Sequence, residues 1–386
     1  TTHGILGNFE AAHADLVAAR ADAQRRAHAE DEWRALIGLG ELWMARDYGR
    51  AGEFFMQALE YARRSEEPPL LALSLHRVGV WHLNEDRPHT AYAMHQEALA
   101  LYTELADAHG QAESLERLGV ARIFQGDSAG GVRHLAQAEA IFLGLDNQVD
   151  LDRIRALPTL RANAFCEALD GETLPTVEAQ QLRLLEVMRA QELWAQVSPF
   201  LHSLASQLLL VGDYGQAEAY LRESIAISEE LGYPEWLAYA LGWRAALALE
   251  LHEPREAVAW GERALAAARR GCAPLAIRLV AYYLMQAYTA TGALPEAGAL
   301  LEAVAPDRER AEPSLLLRRL RLAGAELALA QGAPQRALAE VDSLIASAVN
   351  PEGKVIPVLW HARGAALLAL GRLAEARHCL GQALAA

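Results

Sequence analysis

The chain has 386 residues, of which 52% are apolar, and its 50 acidic and 35 basic residues give a formal net charge of −15. This charge argues against nucleic acid as the partner, because phosphate binding needs clustered cations, and it suits basic peptides or simply solubility. The three cysteines lie too far apart to indicate a disulfide framework or a zinc ribbon, so we expect a reducing, cytoplasmic location. We find no apolar run long enough to span a membrane and no signal-peptide pattern, and we expect no membrane partner.

A turn followed by a small residue recurs along the chain. It first closes at Ala12, and the later closing residues lie at positions 51, 91, 131, 217, 257, 297, 337 and 376. These positions are 39 or 40 residues apart, except for one gap of 86 residues that holds two units. Such a fixed period indicates a repeat protein in which each unit packs on its neighbours.

The turn at residues 212–217 explains why the pattern recurs. Gly212 can end one helix in the left-handed conformation, and Asp213 can cap the next helix. Ala217 then lies where the two helices cross, at a point where a larger side chain would push them apart. The repeat therefore predicts an all-α chain of helix pairs joined by short turns.

The period predicts one leading helix and nine helix pairs. The predicted pairs span residues 30–63, 69–106, 108–143, 151–190, 194–231, 235–270, 274–304, 313–348 and 354–386. The unit at about 143–190 is irregular: if Ala179 closes it, about eight residues are inserted around 143–157 or 170–177. Such an insertion forms a loop on one face, which either bends the superhelix, contacts a ligand or is neutral.

These units resemble the tetratricopeptide repeat. The resemblance rests on Leu-Gly in the first helix, as at Leu39-Gly40, then Gly-Asp-Tyr, and then two small residues seven positions apart. It implies a right-handed α-solenoid whose first helices line a concave groove. The usual unit has about 34 residues, so longer helices would account for the observed period. Units of this length are similar to the sensor regions of MalT-like transcription activators and of other signal-transduction ATPases with numerous domains (STAND). They are also similar to the repeats of spindle-orientation adaptors and kinesin light chains.

The two ends of the sequence suggest a piece of a longer protein. The chain begins at Thr1 without a methionine and ends at Ala386 within the second helix of its last unit. A self-sufficient solenoid needs polar capping units, and we recognise none. We therefore expect residues 1–386 to form a single superhelical domain, with an ATPase or effector module elsewhere in the full-length chain.

The sequence carries no motif for catalysis. Its one lysine, Lys354, lies in Pro-Glu-Gly-Lys-Val, which is not a phosphate-binding loop. The run of His76, His82, His89 and His95 lacks the spacing that brings two imidazoles to one metal ion. We therefore expect no enzyme activity, no catalytic residue, no cofactor and no metal site.

The resemblance nominates groove residues by their distance from the small residue of each first helix. The candidate groove-binding residues are Trp33, His76, Glu113, Glu116, His202, Tyr239, Tyr282, Gln286, Arg319, Glu326 and His361. This set lacks the Lys and Asn ladder that holds a peptide's C-terminal carboxylate. Trp33, Trp194, Trp236 and Trp360 open first helices, where they serve either core packing or ligand contact.

The predicted function is binding. We expect a ligand- or partner-binding sensor segment of a larger bacterial regulatory protein of the STAND type, acting in transcription regulation. Its partner would be a protein or peptide, or a small-molecule inducer, in the concave groove. The alternative is a static scaffold that joins two proteins without a ligand-driven change.

Overall fold

The structure is a computed structural model and describes residues 9–44, 46–145, 173–306, 313–348 and 356–385. Over these ranges it contains eighteen α-helices and no β-strand, which confirms the predicted all-α class. The helices are α1 (Phe9–Arg25), α2 (Ala29–Trp43), α3 (Tyr48–Ser65), α4 (Pro68–Asn84), α5 (Pro88–Glu104), α6 (Ala108–Phe124), α7 (Ser128–Gly144), α8 (Thr173–Ala190), α9 (Trp194–Val211), α10 (Tyr214–Leu231), α11 (Pro234–Glu250), α12 (Pro254–Ala268), α13 (Pro274–Thr291), α14 (Leu294–Val304), α15 (Leu315–Ala330), α16 (Pro334–Ala346), α17 (Ile356–Ala369) and α18 (Leu373–Ala385). None of the described helices is both long enough and apolar enough to cross a membrane.

The helices form consecutive pairs that pack on their neighbours in sequence. Helix α1 is the leading helix, and the complete pairs are α2–α3, α4–α5, α6–α7, α9–α10, α11–α12, α13–α14, α15–α16 and α17–α18. Helix α8 is the second helix of the irregular unit. Most of the first helix of the predicted pair 151–190, and most of the predicted insertion, lie outside the described residues.

Local chemistry sets where the helices begin and end. The Asp213 side chain accepts a hydrogen bond from the backbone N–H of Gln216 at 3.1 Å and thereby caps α10. Asp47, Asp107 and Asp127 cap their helices in the same way. Other helices begin with proline in their first turn, where the missing amide proton is not needed. Gly212 ends α9 with φ of +84°, a conformation that glycine adopts without strain.

Small residues allow the close approach of paired helices. A Cβ atom on Gly40 would lie 2.4 Å from the Phe55 ring, so this position tolerates only glycine. The closing residues Ala51, Ala217 and Ala257 are completely buried. These pairs therefore share a tightly packed crossing, and the buried apolar residues form clusters between neighbouring helices.

The solenoid curls so that distant units touch. Helix α4 contacts α13, and α6 contacts α15. The carboxylate of Asp86, which is only 2% exposed, accepts hydrogen bonds from the Arg278 guanidinium and, at 2.7 Å, from the Ser314 hydroxyl. We call Asp86, Arg278 and Ser314 the clasp. A second link is the Tyr48 amide, which donates to the Gly271 carbonyl at 2.8 Å.

Candidate ligand-binding site

A cavity of about 460 Å³ lies where the early and late units meet, and we call it the central cavity. Its lining residues are Glu41, Met44, Asn84, Phe124, His202, Ser203, Ser206, Glu235, Trp236, Tyr239, Trp243, Leu275, Leu279, Leu315, Leu316 and Arg319. All of them belong to first helices, except Met44, which directly follows one. Cavities of this size commonly hold small molecules or side chains.

Aromatic rings form one wall of the central cavity. The His202 and Tyr239 rings stack with centroids 5.4 Å apart, and the Trp236 and Tyr239 centroids are 6.2 Å apart. Trp243 adds a further ring, which contacts Tyr283. Burial lowers the pKa of His202 to about 3, so its imidazole is neutral at physiological pH. The wall is therefore an uncharged aromatic surface on α9 and α11.

A buried carboxyl group lies beside these rings. Glu235 occupies the first turn of α11, is 5% exposed and lines the central cavity. Burial raises the pKa of Glu235 to about 8. No residue within the described ranges forms a hydrogen bond or an ion pair with this carboxyl group. Glu235 is therefore a largely buried acid group that faces the cavity and has no partner in the described part of the chain.

The other charged groups of the lining already have contacts. The Glu41 carboxylate forms an ion pair with the Arg77 guanidinium, with Oε1 and Nη2 2.8 Å apart. Arg319 is 9% exposed, and its guanidinium lies 5.4 Å from the centre of the Tyr282 ring. Among these groups, Glu235 has the least compensation for its burial.

The clasp residues lie close in sequence to lining residues of the central cavity. Arg278 precedes Leu279, Ser314 precedes Leu315, and Asp86 lies two residues after Asn84. The clasp therefore joins three helices, α4, α13 and α15, that all supply lining residues.

Three of the predicted groove residues, His202, Tyr239 and Arg319, line the central cavity. Three others, which are not part of the lining, form a cluster of successive contacts that begins at Arg319: its guanidinium lies near the Tyr282 ring, Gln286 contacts Tyr282, and Glu326 contacts Gln286. In this cluster Gln286 donates to the Tyr282 hydroxyl at 3.2 Å, and burial raises the pKa of Glu326.

The other five predicted residues lie elsewhere. Trp33 is buried in the core, where its indole N–H donates to the Ser74 hydroxyl at 2.8 Å. His76 and Glu116 are buried between helices, with the His76 ring against His95. The last two residues, Glu113 on α6 and His361 on α17, do not line the central cavity.

Glu235 was not among the groove residues nominated by their distance from the small residue of each first helix, although the sequence indicates it in another way. Glu235 precedes Tyr239 by four residues, so the two side chains share one face of α11. Extending the groove positions by one more helical turn reaches this residue. Trp236 lines the cavity, whereas the exposed Trp194 does not.

A second cavity, also of about 460 Å³, lies between α14, α15 and α16. Its lining includes Arg321, Glu340 and Ser343. The Arg321 guanidinium donates to the Glu340 carboxylate and, at 3.1 Å, to the Ser343 hydroxyl. Within the described ranges, no group of three or more His, Cys, Asp or Glu residues could hold a metal ion.

Comparison with known proteins identifies the repeat. The tetratricopeptide repeat family model matches residues 197–270, which extend from α9 to just past α12. This stretch is a tetratricopeptide repeat segment. A search of curated protein sequences gives no significant match.

Solved structures extend the likeness to nearly the whole chain. A Rap protein complexed with competence and sporulation factor aligns over 94% of this chain and 97% of its own, with a TM-score of 0.64 and 15% identity. NprR in complex with its cognate peptide NprX aligns over 93% and 98%, with a TM-score of 0.61 and 12% identity. A STAND protein with a tetratricopeptide repeat sensor, from Pyrococcus horikoshii, aligns over 89% of this chain and 52% of its own, with a TM-score of 0.49 and 14% identity. The chain therefore has the tetratricopeptide-type solenoid fold, which typically mediates protein interactions without catalysis.

Proposed function

We propose that this chain is the ligand-binding sensor segment of a larger regulatory protein and that it takes a peptide segment into the central cavity. The observation that carries the proposal is the origin of the lining, which comes from seven first helices spread between α2 and α15. A ligand in this position touches units that are distant in sequence. An attached effector module, of the STAND type or another, would receive the signal.

A change in shape follows from where the ligand would bind. The early and late units meet at the clasp, which joins three helices that supply lining residues of the cavity. A ligand that contacts both sides binds more tightly when the early and late units are together than when they are apart. It shifts the equilibrium toward the closed arrangement by the difference between these two binding free energies. The curvature of the solenoid would therefore differ between the ligand-free and the ligand-bound chain.

Two features support a peptide as the occupant. The cavity combines an aromatic wall with a few polar groups, which suits a peptide side chain. In addition, NprR, which shares the fold, holds its cognate peptide in the aligned structure.

The test begins with binders selected from a phage-displayed library of random dodecapeptides. The affinity of each selected peptide is then measured for the wild-type chain and for the Ser203→Trp variant, in which an indole occupies the central cavity. We expect roughly tenfold weaker binding or more, a loss of about 1.4 kcal/mol. The matched control is Ser343→Trp, which places the same side chain in the second cavity and should leave affinity unchanged. Equal affinities for the two variants would exclude the central cavity as the binding site.

Small-angle scattering separates the sensor from the static scaffold. We expect the radius of gyration of the chain to change when a selected peptide is added at saturating concentration. A scaffold would bind the peptide and keep its dimensions.

A further inference from the structure

We infer that the central cavity recognises an organic cation, an ammonium or guanidinium group, with Glu235 as its counter-ion and Trp236 and Tyr239 as its aromatic wall. This inference rests on the proposed function and names the chemistry of the group that enters the cavity. The source of the cation is either a basic side chain of a peptide or a free amine.

The first argument is the carboxyl group that lacks a partner. Burying a polar group without a hydrogen bond is unfavourable, and burying a charge without a partner is more so. Glu235 is 5% exposed, lines the cavity and has no hydrogen-bonding partner among the described residues. A cation in the cavity would supply the missing partner.

The second argument is the surface beside it. Ring faces carry negative potential and attract cations, tryptophan most strongly. Trp236 directly follows Glu235 in the first turn of α11, and Tyr239 lies one turn further. A cation between these groups would combine a charge-assisted hydrogen bond with contact to an aromatic face.

The opposite charge is a weaker candidate. An anionic ligand would have to use Arg319, the guanidinium of the lining, which already lies 5.4 Å from the centre of the Tyr282 ring. Of the two carboxyl groups in the lining, Glu41 is already paired with Arg77. Of the two carboxyl groups, Glu235 is therefore the one that a cation in the cavity would pair with.

Binding of a cation should be linked to pH. Since the pKa of Glu235 is about 8, its carboxyl group is mostly protonated at pH 7 in the free chain. A cation binds the ionised form, so affinity should rise with pH. Glu235 interacts electrostatically with Tyr48, Tyr239 and Cys272, and the other titratable or charged groups of the lining are Glu41, His202 and Arg319. Three further charged groups, Glu85, Asp86 and Arg270, act on Tyr48, Tyr239 and Cys272 respectively. Burial raises the pKa of Tyr48, Tyr239 and Cys272, so these three are neutral below pH 9.

The experiment uses two pairs of probes on the whole chain, measured by isothermal titration calorimetry and Trp fluorescence. One pair is acetyl-Leu-Arg-Leu-amide and its citrulline analogue, in which a neutral urea group replaces the guanidinium. The other pair is hexylammonium chloride and 1-hexanol. We expect each cation to bind at least roughly tenfold more tightly than its neutral partner at pH 8. Binding by the peptide alone identifies a side chain as the source of the cation, whereas binding by hexylammonium as well shows that the free group is sufficient.

Variants then assign the effect to Glu235. Between pH 6.5 and 8, we expect the affinity of each cation for the wild-type chain to rise roughly tenfold, as the ionised fraction of Glu235 grows. Glu235→Gln should remove both this rise and the preference for cations. Glu340→Gln, which changes a carboxylate of the second cavity, should retain both.

Specific outcomes would overturn the inference. It is wrong if the two members of each probe pair bind with equal affinity, or if the preference for cations persists in Glu235→Gln. It is also wrong if neither cation binds at millimolar concentration. The first two outcomes leave the proposed function intact, since a ligand would still occupy the central cavity. Only retained binding of the selected peptides to Ser203→Trp removes the cavity itself from that function.

Discussion

The central cavity and the second cavity have the same volume, about 460 Å³, but opposite linings. In the second cavity the Arg321 guanidinium donates hydrogen bonds to Glu340 and Ser343, so the one carboxylate of that lining is paired. In the central cavity Glu235 lies among apolar and aromatic groups without such a partner. The two cavities therefore differ not in size but in whether each carboxyl group of the lining has a partner, and on this ground we propose the central cavity as the binding site.

The two cavities also differ in how the fold makes them. Helices α14, α15 and α16 follow one another in sequence, so any stack of these units would create the second cavity. The central cavity needs α4, α13 and α15 to meet, and the clasp holds them together. Changes to the clasp should therefore affect one cavity and spare the other.

The largest expected effect comes from Arg278→Ala. This change leaves the buried Asp86 carboxylate without its guanidinium, and breaking such a pair destabilises a protein by about 3–5 kcal/mol. Urea denaturation should show the loss, and hydrogen exchange should increase at α4 and α13 but not at α16. The double variant Asp86→Asn/Arg278→Gln serves as the control and should recover part of the loss, because it buries no charge. A loss below about 1 kcal/mol would mean that the clasp does not hold the units together.

The next effect is the pH dependence of stability. The pKa of Glu235 is raised by burial from 4.5 to about 8, so between these values the folded chain binds a proton that the unfolded chain has lost. This contribution to stability is fully present below pH 4.5 and is lost as pH rises to about 8. The free energy of unfolding attributable to Glu235 should fall by about 2–3 kcal/mol between pH 5.5 and 7.5.

The comparison of wild type with Glu235→Gln isolates this effect. The variant carries no titrating group at position 235, so its stability should fall less steeply over the same pH range. Parallel pH profiles for the two proteins would show that Glu235 has an ordinary pKa and is better solvated than its burial indicates. Chemical denaturation at several pH values gives both profiles.

A smaller effect is expected from Arg321→Ala in the second cavity. The Arg321–Glu340 pair is partly exposed to water, and such pairs contribute about 1 kcal/mol or less. Thermal unfolding should detect only a slight change, and binding of peptides or cations in the central cavity should be unaffected. A marked loss of binding would contradict the functional distinction between the two cavities.

The smallest effect concerns His202. Burial lowers its pKa to about 3, so its ring should stay neutral in an NMR titration down to pH 5. His202→Phe should therefore leave the pH dependence of cation binding unchanged. If the pH dependence disappeared in this variant, His202 rather than Glu235 would be the titrating group.

The sequence predicted the helix pairs because their causes are local. Asp213 caps the helix that it begins, and Gly212 ends the helix before it, so neighbouring residues determine the boundary. The same turn chemistry recurs with a constant period. As a result, the eight complete pairs observed lie within a few residues of their predicted ranges.

The site was predicted only in part because its causes are not local. Tyr239 and Arg319 followed from their positions on first helices, and both line the central cavity. The clasp did not follow from the sequence, because Asp86 occupies an ordinary turn and its partner Arg278 lies 192 residues away. Periodicity describes neighbouring units and carries no information on which distant units touch. The burial of Glu235 depends on this same long-range closure.

The clasp has a consequence for how the chain can change in evolution. Solenoids usually gain or lose units by duplication or deletion, since each unit interacts only with those beside it. Between Asp86 and Arg278 this freedom is absent, because one unit more or fewer would carry the two ends of the interval past each other. The units after α15 carry no such constraint from the clasp. The hydrogen bond between Tyr48 and Gly271 limits the interval that begins at α3 in the same way. The number of repeats is thus fixed within these intervals, so length variation among related chains should concentrate after α15.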